Sequence, residues 1–390
     1  MIKKTLLLSI TVAWSIGVFG QLTIRKIKPS TTDATITTFD TDSNFVYLNT
    51  SVSPKNLLLV HLPGSYGEPK RATLFGSLAA NQGFHSIGLM YPNVPTVGSF
   101  CTNNSDLSCF EKVRREIIEG VDYSNEISIA FNEGIHNRIK KLITYLSANY
   151  PNENWEQYLD DNGEVVWEKI IVSGHSQGGG HAAVMAKYFP LKRALCFSSP
   201  KDWNNTIGNP PPWLSSSNWF TSRSDVYVFN HVLDVHDQQV IIWDSLGLNA
   251  FGAIVDVDNN IAPYNQTRQL STNYVVTSGD EHASTIQDNK TPKINSVPIF
   301  EPVWIYMLTF DILADLPTYT SEQLEFFPTP ATVAINVPLA FIHQPIQLLD
   351  FTGKVILESR NSSTIDVSQL PSGYYFLKTN GQVVQKVIKL

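Results

Sequence analysis

A serine sits among glycines and histidines in Ile171-Val172-Ser173-Gly174-His175-Ser176-Gln177-Gly178-Gly179-Gly180-His181. An apolar run leads straight into Gly174, and a small-residue helical stretch opens at Gly178. A strand-to-helix turn of this kind holds a serine oxygen out at the strand end, and glycines on either side let the turn crowd against a sheet. The start of the helix offers the amide of Gln177 and a favourable dipole to developing negative charge. The chemistry this permits is nucleophilic attack by Ser176 on an acyl carbon. The plainer reading is an ordinary strand–glycine turn.

A serine nucleophile needs a base, and at such a turn an acid and then a histidine follow it in the chain. His181, His231, His236, His282 and His343 lie downstream. His181 belongs to the helix beside the turn, His343 to a region of different composition, and His231 and His236 precede or crowd the candidate acids. His282, in the loop Ser278-Gly279-Asp280-Glu281-His282, is the expected base, against the alternative of a surface histidine with no task. The acid is sought after the apolar run 226–232. Asp234 closes that run, where a carboxylate is well placed to orient an imidazole; Asp237 competes but could instead cap a helix over 238–246. For a second oxyanion donor the loop His61-Leu62-Pro63-Gly64-Ser65-Tyr66-Gly67 is the source. Pro63 has no N–H, Gly64 permits close approach, and the amide of Ser65 is the candidate, although the loop could equally be a simple turn. An insert over 200–224 carries Trp203, Trp213 and Trp219. Their rings could form a platform for substrate or could only pin the insert to the body. No Cys/His spacing suggests a metal site, and no cofactor is expected.

These residues need a scaffold. Apolar runs at 57–60, 85–90, 166–172, 193–197, 226–232 and 273–277 read as buried strands, with helices expected over about 69–82, 127–150 and 303–313. Residues 21–56 suggest an entry hairpin, and 92–123 a long loop. Strands alternating with helices predict an α/β domain over 21–315, with a mostly parallel sheet flanked by helices. After a linker at 316–327, residues 328–390 read as a small all-β, sandwich-like domain of short alternating strands with turns at Thr352-Gly353-Lys354 and Pro371-Ser372-Gly373.

The N-terminus has the form of a secretory signal over 1–20: Lys3 and Lys4, an apolar stretch from Leu6, then Val18-Phe19-Gly20 as a cleavage site. That stretch is too short to span a bilayer comfortably, so no transmembrane segment is expected in the mature chain. Cys101 and Cys109 suit an exported protein as an oxidised clip contributing about 2–3 kcal/mol, and Cys196 reads as a core thiol. With 43% hydrophobic and 16% charged residues the chain can bury a large core, which excludes disorder. A formal net charge of −7 without basic runs excludes nucleic acid and anionic membrane as partners.

The elbow Gly174-His175-Ser176-Gln177-Gly178-Gly179-Gly180-His181-Ala182-Ala183 resembles that of secreted bacterial esterases of the α/β-hydrolase superfamily, a likeness spanning about 56–315. The loop Leu62-Pro63-Gly64-Ser65 is similar to the oxyanion loops of cutinase-like enzymes. The resemblance implies an α/β-hydrolase fold and a serine hydrolase acting on an ester substrate, with Ser176, His282 and Asp234 as the triad. A serine peptidase, or a noncatalytic binding protein on the same fold, are the alternatives. Residues 328–390 resemble the type A sorting domain of the type IX secretion system, through Phe327-Pro328-Thr329-Pro330, the stretch from Leu349 to Lys354, the stretch from Ile365 to Phe376, and Lys386-Val387-Ile388-Lys389. That implies export to the surface or medium through outer-membrane secretion machinery. A carbohydrate-binding module is the competing reading.

Overall fold

The computed structural model describes residues 22–312, 330–337, 345–350, 354–360, 362–379 and 382–390. The expected signal segment 1–20 and linker 316–327 lie outside the described residues. The chain forms two compact units, dividing between Phe310 and Asp311.

The first unit is built on a nine-stranded sheet. Its strands are β1 (Leu22–Ile27), β2 (Asn44–Asn49), β3 (Leu58–Leu62), β4 (His85–Gly88), β5 (Ile170–His175), β6 (Arg193–Phe197), β7 (Val226–His231), β8 (Val255–Asp256) and β9 (Gln269–Thr272). They lie in the order β1-β2-β4-β3-β5-β6-β7-β9-β8. β1 and β2 pair antiparallel as the expected entry hairpin, β2 is antiparallel to β4, and every other neighbour is parallel. The helices are α1 (Pro29–Thr32), α2 (Thr73–Asn81), α3 (Val97–Cys101), α4 (Cys109–Glu119), α5 (Ile135–Asn149), α6 (Gln177–Tyr188), α7 (His236–Ser245), α8 (Glu281–Ser284) and α9 (Glu301–Thr309). A two-residue hairpin, β10 (Lys293–Ile294) with β11 (Val297–Pro298), precedes α9.

The apolar runs are continuous because both faces of the sheet are covered. Successive side chains point to opposite faces. Leu58, Val60 and Leu62 of β3, with Val172, Cys196 and Val228, meet residues of α4, α5, α6 and α7 in one buried cluster. Alternate positions face the other way, where His61 and Phe197 pack with Phe75 of α2, and Phe75 with Trp304 of α9. Each such aliphatic or aromatic side chain contributes roughly 1.5–3 kcal/mol on burial.

Three expectations are corrected. The segment 92–123 is not one long loop. It holds α3 and α4, whose buried Phe110, Val113 and Ile117 recur at helical spacing, and the disulfide Cys101–Cys109 clips the end of one helix to the start of the other. The last central strand is Gln269–Thr272 and not 273–277, where Val275 is 88% exposed. Asp258 takes the N–H of Asn273 and ends the ladder there, so the β-branched residues beyond have no partner strand. The helix expected over 127–150 begins only at Ile135, after a 3-10 turn at Phe131–Glu133. Cys196 is a free, buried thiol, as expected, and burial pushes it up to about 12.

The second unit pairs its described strands antiparallel, with one isolated parallel bridge between Ala331 and Lys389. β12 (Ala334–Asn336) pairs with β15 (Thr364–Asp366), while β13 (Ile346–Leu349), β14 (Val355–Ser359), β16 (Gly373–Thr379) and β17 (Gln382–Lys389) form a sheet in the order β14-β13-β16-β17. Ile335 and Ile365 from the first pair meet Ile346, Leu348, Leu377 and Val387 from the second sheet in a separate core.

Candidate functional site

β5 runs into α6 through Ser176, whose backbone stands at φ 54° and ψ −118°. A non-glycine residue there is strained, and it persists because the surroundings over-determine it. The amide of Ser176 donates to the carbonyl of Phe197 at the end of β6 (2.9 Å), and Gly180 N–H donates to the carbonyl of Ser176 (3.1 Å). A β-carbon on Gly174 would collide with the backbone of Gly178, and one on Gly178 with the carbonyl of Leu62 in β3. The glycine pattern is therefore a packing requirement of the turn. Gln177 is the first residue of α6, so its N–H has no acceptor within the helix.

Asp234 and His282 come together across 48 residues, with Nδ1 of His282 2.7 Å from Oδ2 of Asp234. Asp234 is 7% exposed. Burial opposes its ionisation, but the hydrogen bond and charge of His282 and the charge of Lys201 outweigh this and hold the carboxyl below the usual carboxylate range. An ionised carboxylate only accepts, so Nδ1 of His282 carries a hydrogen, and in the neutral ring Nε2 is the nitrogen with the lone pair. Asp237 lies in the first turn of α7 and borders a different part of the surface, beside Val232 and Leu233. His282 sits on the one-turn helix α8, not in an open loop. Among the described residues no hydrogen bond joins Ser176 to His282. His175, the neighbour of Ser176, has its ring 4.8 Å from that of His282.

Three residues that sequence reasoning passed over hold this arrangement. Nε2–H of His175 donates to the carbonyl of His282 (2.8 Å) while the amide of Gln287 approaches its Nδ1 (3.4 Å). Burial, and then the neighbouring His282, push the His175 imidazole down to about 3, so it stays neutral. His231 fixes the turn that carries Asp234: its Nδ1 accepts from Leu233 N–H (3.1 Å) and its Nε2–H donates to the carbonyl of Tyr274 (2.9 Å). Lys201 donates to Oδ1 of Asp234 (3.0 Å) and lies 3.4 Å from Nδ1 of His282. Only the place of His175 inside the elbow motif could have marked it in the sequence.

The two expected oxyanion residues are adjacent. Oγ of Ser65 donates to Oε1 of Gln177 (2.9 Å), and both border, with Ser176, Val97, Phe110 and Lys201, a cavity of about 170 Å³. The Ser65 loop is held from behind, with Tyr91 donating to the carbonyl of Pro63 (2.8 Å) and Asn93 to those of Gly64 (3.0 Å) and Gly67 (2.8 Å). A β-carbon on Gly64 would crowd Ser176 and His175, so the loop presses against the elbow. Because Val97 and Phe110 belong to the disulfide-clipped helices α3 and α4, the clip shapes the cavity wall.

The tryptophans divide. Trp213 is 2% exposed and donates its indole N–H to Asp202 (3.2 Å), so it pins the insert to the body. Trp219 is partly buried and stacks on Trp213, with the guanidinium of Arg223 5.2 Å from its ring. Trp203 is half-buried. None of the three borders the cavity beside Ser176. Asp202 also receives a two-pronged ion pair from buried Arg114, which reaches the carbonyl of Gln177 (3.0 Å) and lies over Gly180, where a β-carbon would displace it. Among the described residues no cluster of His, Cys, Asp or Glu could hold a metal ion, and no helix is long and apolar enough to cross a membrane.

No curated protein matches the chain. Residues 325–390 match the family described as the secretion system C-terminal sorting domain. This is the address tag of type IX secretion, so the protein is exported to the cell surface or the medium and engages the secretion machinery through its C-terminal unit.

Proposed function

We propose that the first unit is an α/β-hydrolase domain acting as a secreted serine hydrolase on carboxylic esters. The observation that carries the reading is the strained Ser176 at a strand–helix junction, one residue from a histidine that contacts an Asp234–His282 pair with Nε2 left basic. In this reading Ser176 Oγ meets Nε2 of His282 once substrate is bound, as reacting hydrogen bonds often tighten only with substrate present. Oγ attacks the ester carbonyl carbon and its proton passes to Nε2. Asp234 stabilises the imidazolium, and the amides of Gln177 and Ser65 receive the oxyanion. Collapse expels the alcohol, which takes the proton from His282. Water, deprotonated by the same nitrogen, then releases the acid from the acyl-enzyme.

The test is fluorophosphonate labelling alongside turnover of p-nitrophenyl esters of graded chain length. Wild type should label at Ser176 and hydrolyse at least one ester, and Ser176→Ala should do neither while keeping its circular-dichroism spectrum. Labelling at another residue, or activity in Ser176→Ala well above the uncatalysed rate, overturns the assignment. A noncatalytic binding protein would show neither reaction in wild type, and a peptidase would cleave peptide amides in the same preparation.

A further inference from the structure

The cavity beside Ser176 is unbalanced in its hydrogen-bonding groups. Its carboxylate and amide acceptors are already engaged, and beside them the lining offers the hydroxyls of Ser65 and Ser176. Both carboxylate oxygens of Asp202 are taken, by the Arg114 guanidinium and the indole of Trp213. Oε1 of Gln177 accepts from Ser65 Oγ and from Val97 N–H (3.0 Å). That second bond fixes the orientation of the Gln177 amide, since a flipped amide would set donor against donor.

The donors are left over. Gln177 is 6% exposed, and its Nε2 has no partner. Lys201 carries three ammonium hydrogens. One goes to Asp234 Oδ1. None can go to His282 Nδ1, because that nitrogen's own hydrogen is directed at Asp234 Oδ2. Two ammonium hydrogens therefore have no acceptor among the described residues, on a side chain that is 34% exposed and borders the same cavity as Ser176. Val97 and Phe110 add apolar surface to the lining of the same cavity.

Resting on the serine-esterase reading, we propose that the cavity selects esters that carry a carboxylate a few carbons from the scissile bond, with Lys201 as the recognising cation. The carboxylate would complete the ammonium's hydrogen bonds, and the intervening methylenes would lie on Val97 and Phe110. A charge-assisted bond to a partly exposed lysine discriminates by about 10-fold against an uncharged group of similar size. The shared chemistry allows the carboxylate to be on the acyl part or on the alcohol part.

The experiment compares kcat/KM for two matched pairs in wild type, Lys201→Met and Lys201→Arg. Acyl-side pairing sets the p-nitrophenyl monoester of adipic acid against p-nitrophenyl heptanoate. Alcohol-side pairing sets 4-acetoxybenzoate against 4-acetoxytoluene. Lys201 also touches Asp234, so Lys201→Met will change the rate on both members of a pair; the anionic-to-neutral ratio removes that common effect. Wild type should favour the anionic ester by about 10-fold in at least one pair, Lys201→Arg should keep the preference, and Lys201→Met should abolish it. Which pair responds identifies the side that carries the charge. A wild-type ratio near or below one in both pairs, or a ratio unmoved by Lys201→Met, overturns the inference. If labelling and turnover at Ser176 persist in that case, the esterase reading stands without it; if both are absent, the two fall together.

Discussion

Replacing Asp234 with asparagine removes a charge and leaves the shape unchanged, and the groups around it dictate the consequence. Oδ1 faces the ammonium of Lys201 at 3.0 Å, and Oδ2 faces Nδ1 of His282 at 2.7 Å. An asparagine can turn its single carbonyl oxygen toward only one of them. With the oxygen toward Lys201, the NH₂ group meets Nδ1, which must then accept. The imidazole hydrogen moves to Nε2, and no lone pair remains for the proton transfer from Ser176 proposed above. The reverse orientation sets NH₂ against an ammonium, leaving donors unpaired at a cost of about 1–3 kcal/mol or more. Lys201 thus enforces the unproductive tautomer, which costs about 10⁴ in kcat in Ser–His–Asp triads, or roughly 5.5 kcal/mol of barrier. Asp237→Asn, in the first turn of α7, should stay within a few-fold, because it borders neither His282 nor the cavity. Single-turnover rates on one p-nitrophenyl ester, with circular dichroism to verify the fold, decide between them. An Asp234→Asn enzyme retaining more than about a tenth of wild-type kcat would falsify the reasoning. The opposite ranking would give the role to Asp237.

His175→Ala removes the donor to the carbonyl of His282 and should lower kcat by about 10- to 100-fold with KM little changed, since a shift of about 1 Å in the base is that costly; His175→Gln, which keeps a donor, should recover part of the loss, and equal damage to KM would point to general collapse instead. His61 and His175 are both pushed down to about 3 by burial, so the unfolded chain binds more protons than the folded one below the ordinary histidine value of 6.5. Stability should therefore be whole above pH 6.5 and be lost as the pH falls toward about 3, by about 1.4 kcal/mol per pH unit for each histidine. Urea midpoints at pH 7, 6 and 5 measure this, and a flat midpoint contradicts it. Removing residues 325–390 should leave the first unit folded but confine it within the cell envelope, and fractionation of cells and medium checks this; truncated protein in the medium would deny these residues their sorting role.

What the chain's order of residues determined by itself is local. The strand, the glycines and the helix around Ser176 are contiguous, and the steric demand that selects them acts over a few residues, so the elbow was legible. So were the disulfide clip, eight residues apart, and the sorting domain, whose family match rests on a short continuous segment. The helix α4 was missed inside the expected loop 92–123: Phe110, Val113 and Ile117 have helical spacing, but the Asn/Ser-rich cysteine loop before them obscured the pattern. The tertiary structure decided the rest. Asp234 and Asp237 differ by three positions in sequence, and only the packing of β7 beside β9 brings the first of them to a histidine 48 residues away. Lys201 and His175 reach His282 across 81 and 107 residues, and Trp213 turns inward to give its indole N–H to Asp202. Such contacts have no local signature, because they depend on where separate loops arrive at the same edge of the sheet, and that placement belongs to the folded chain as a whole.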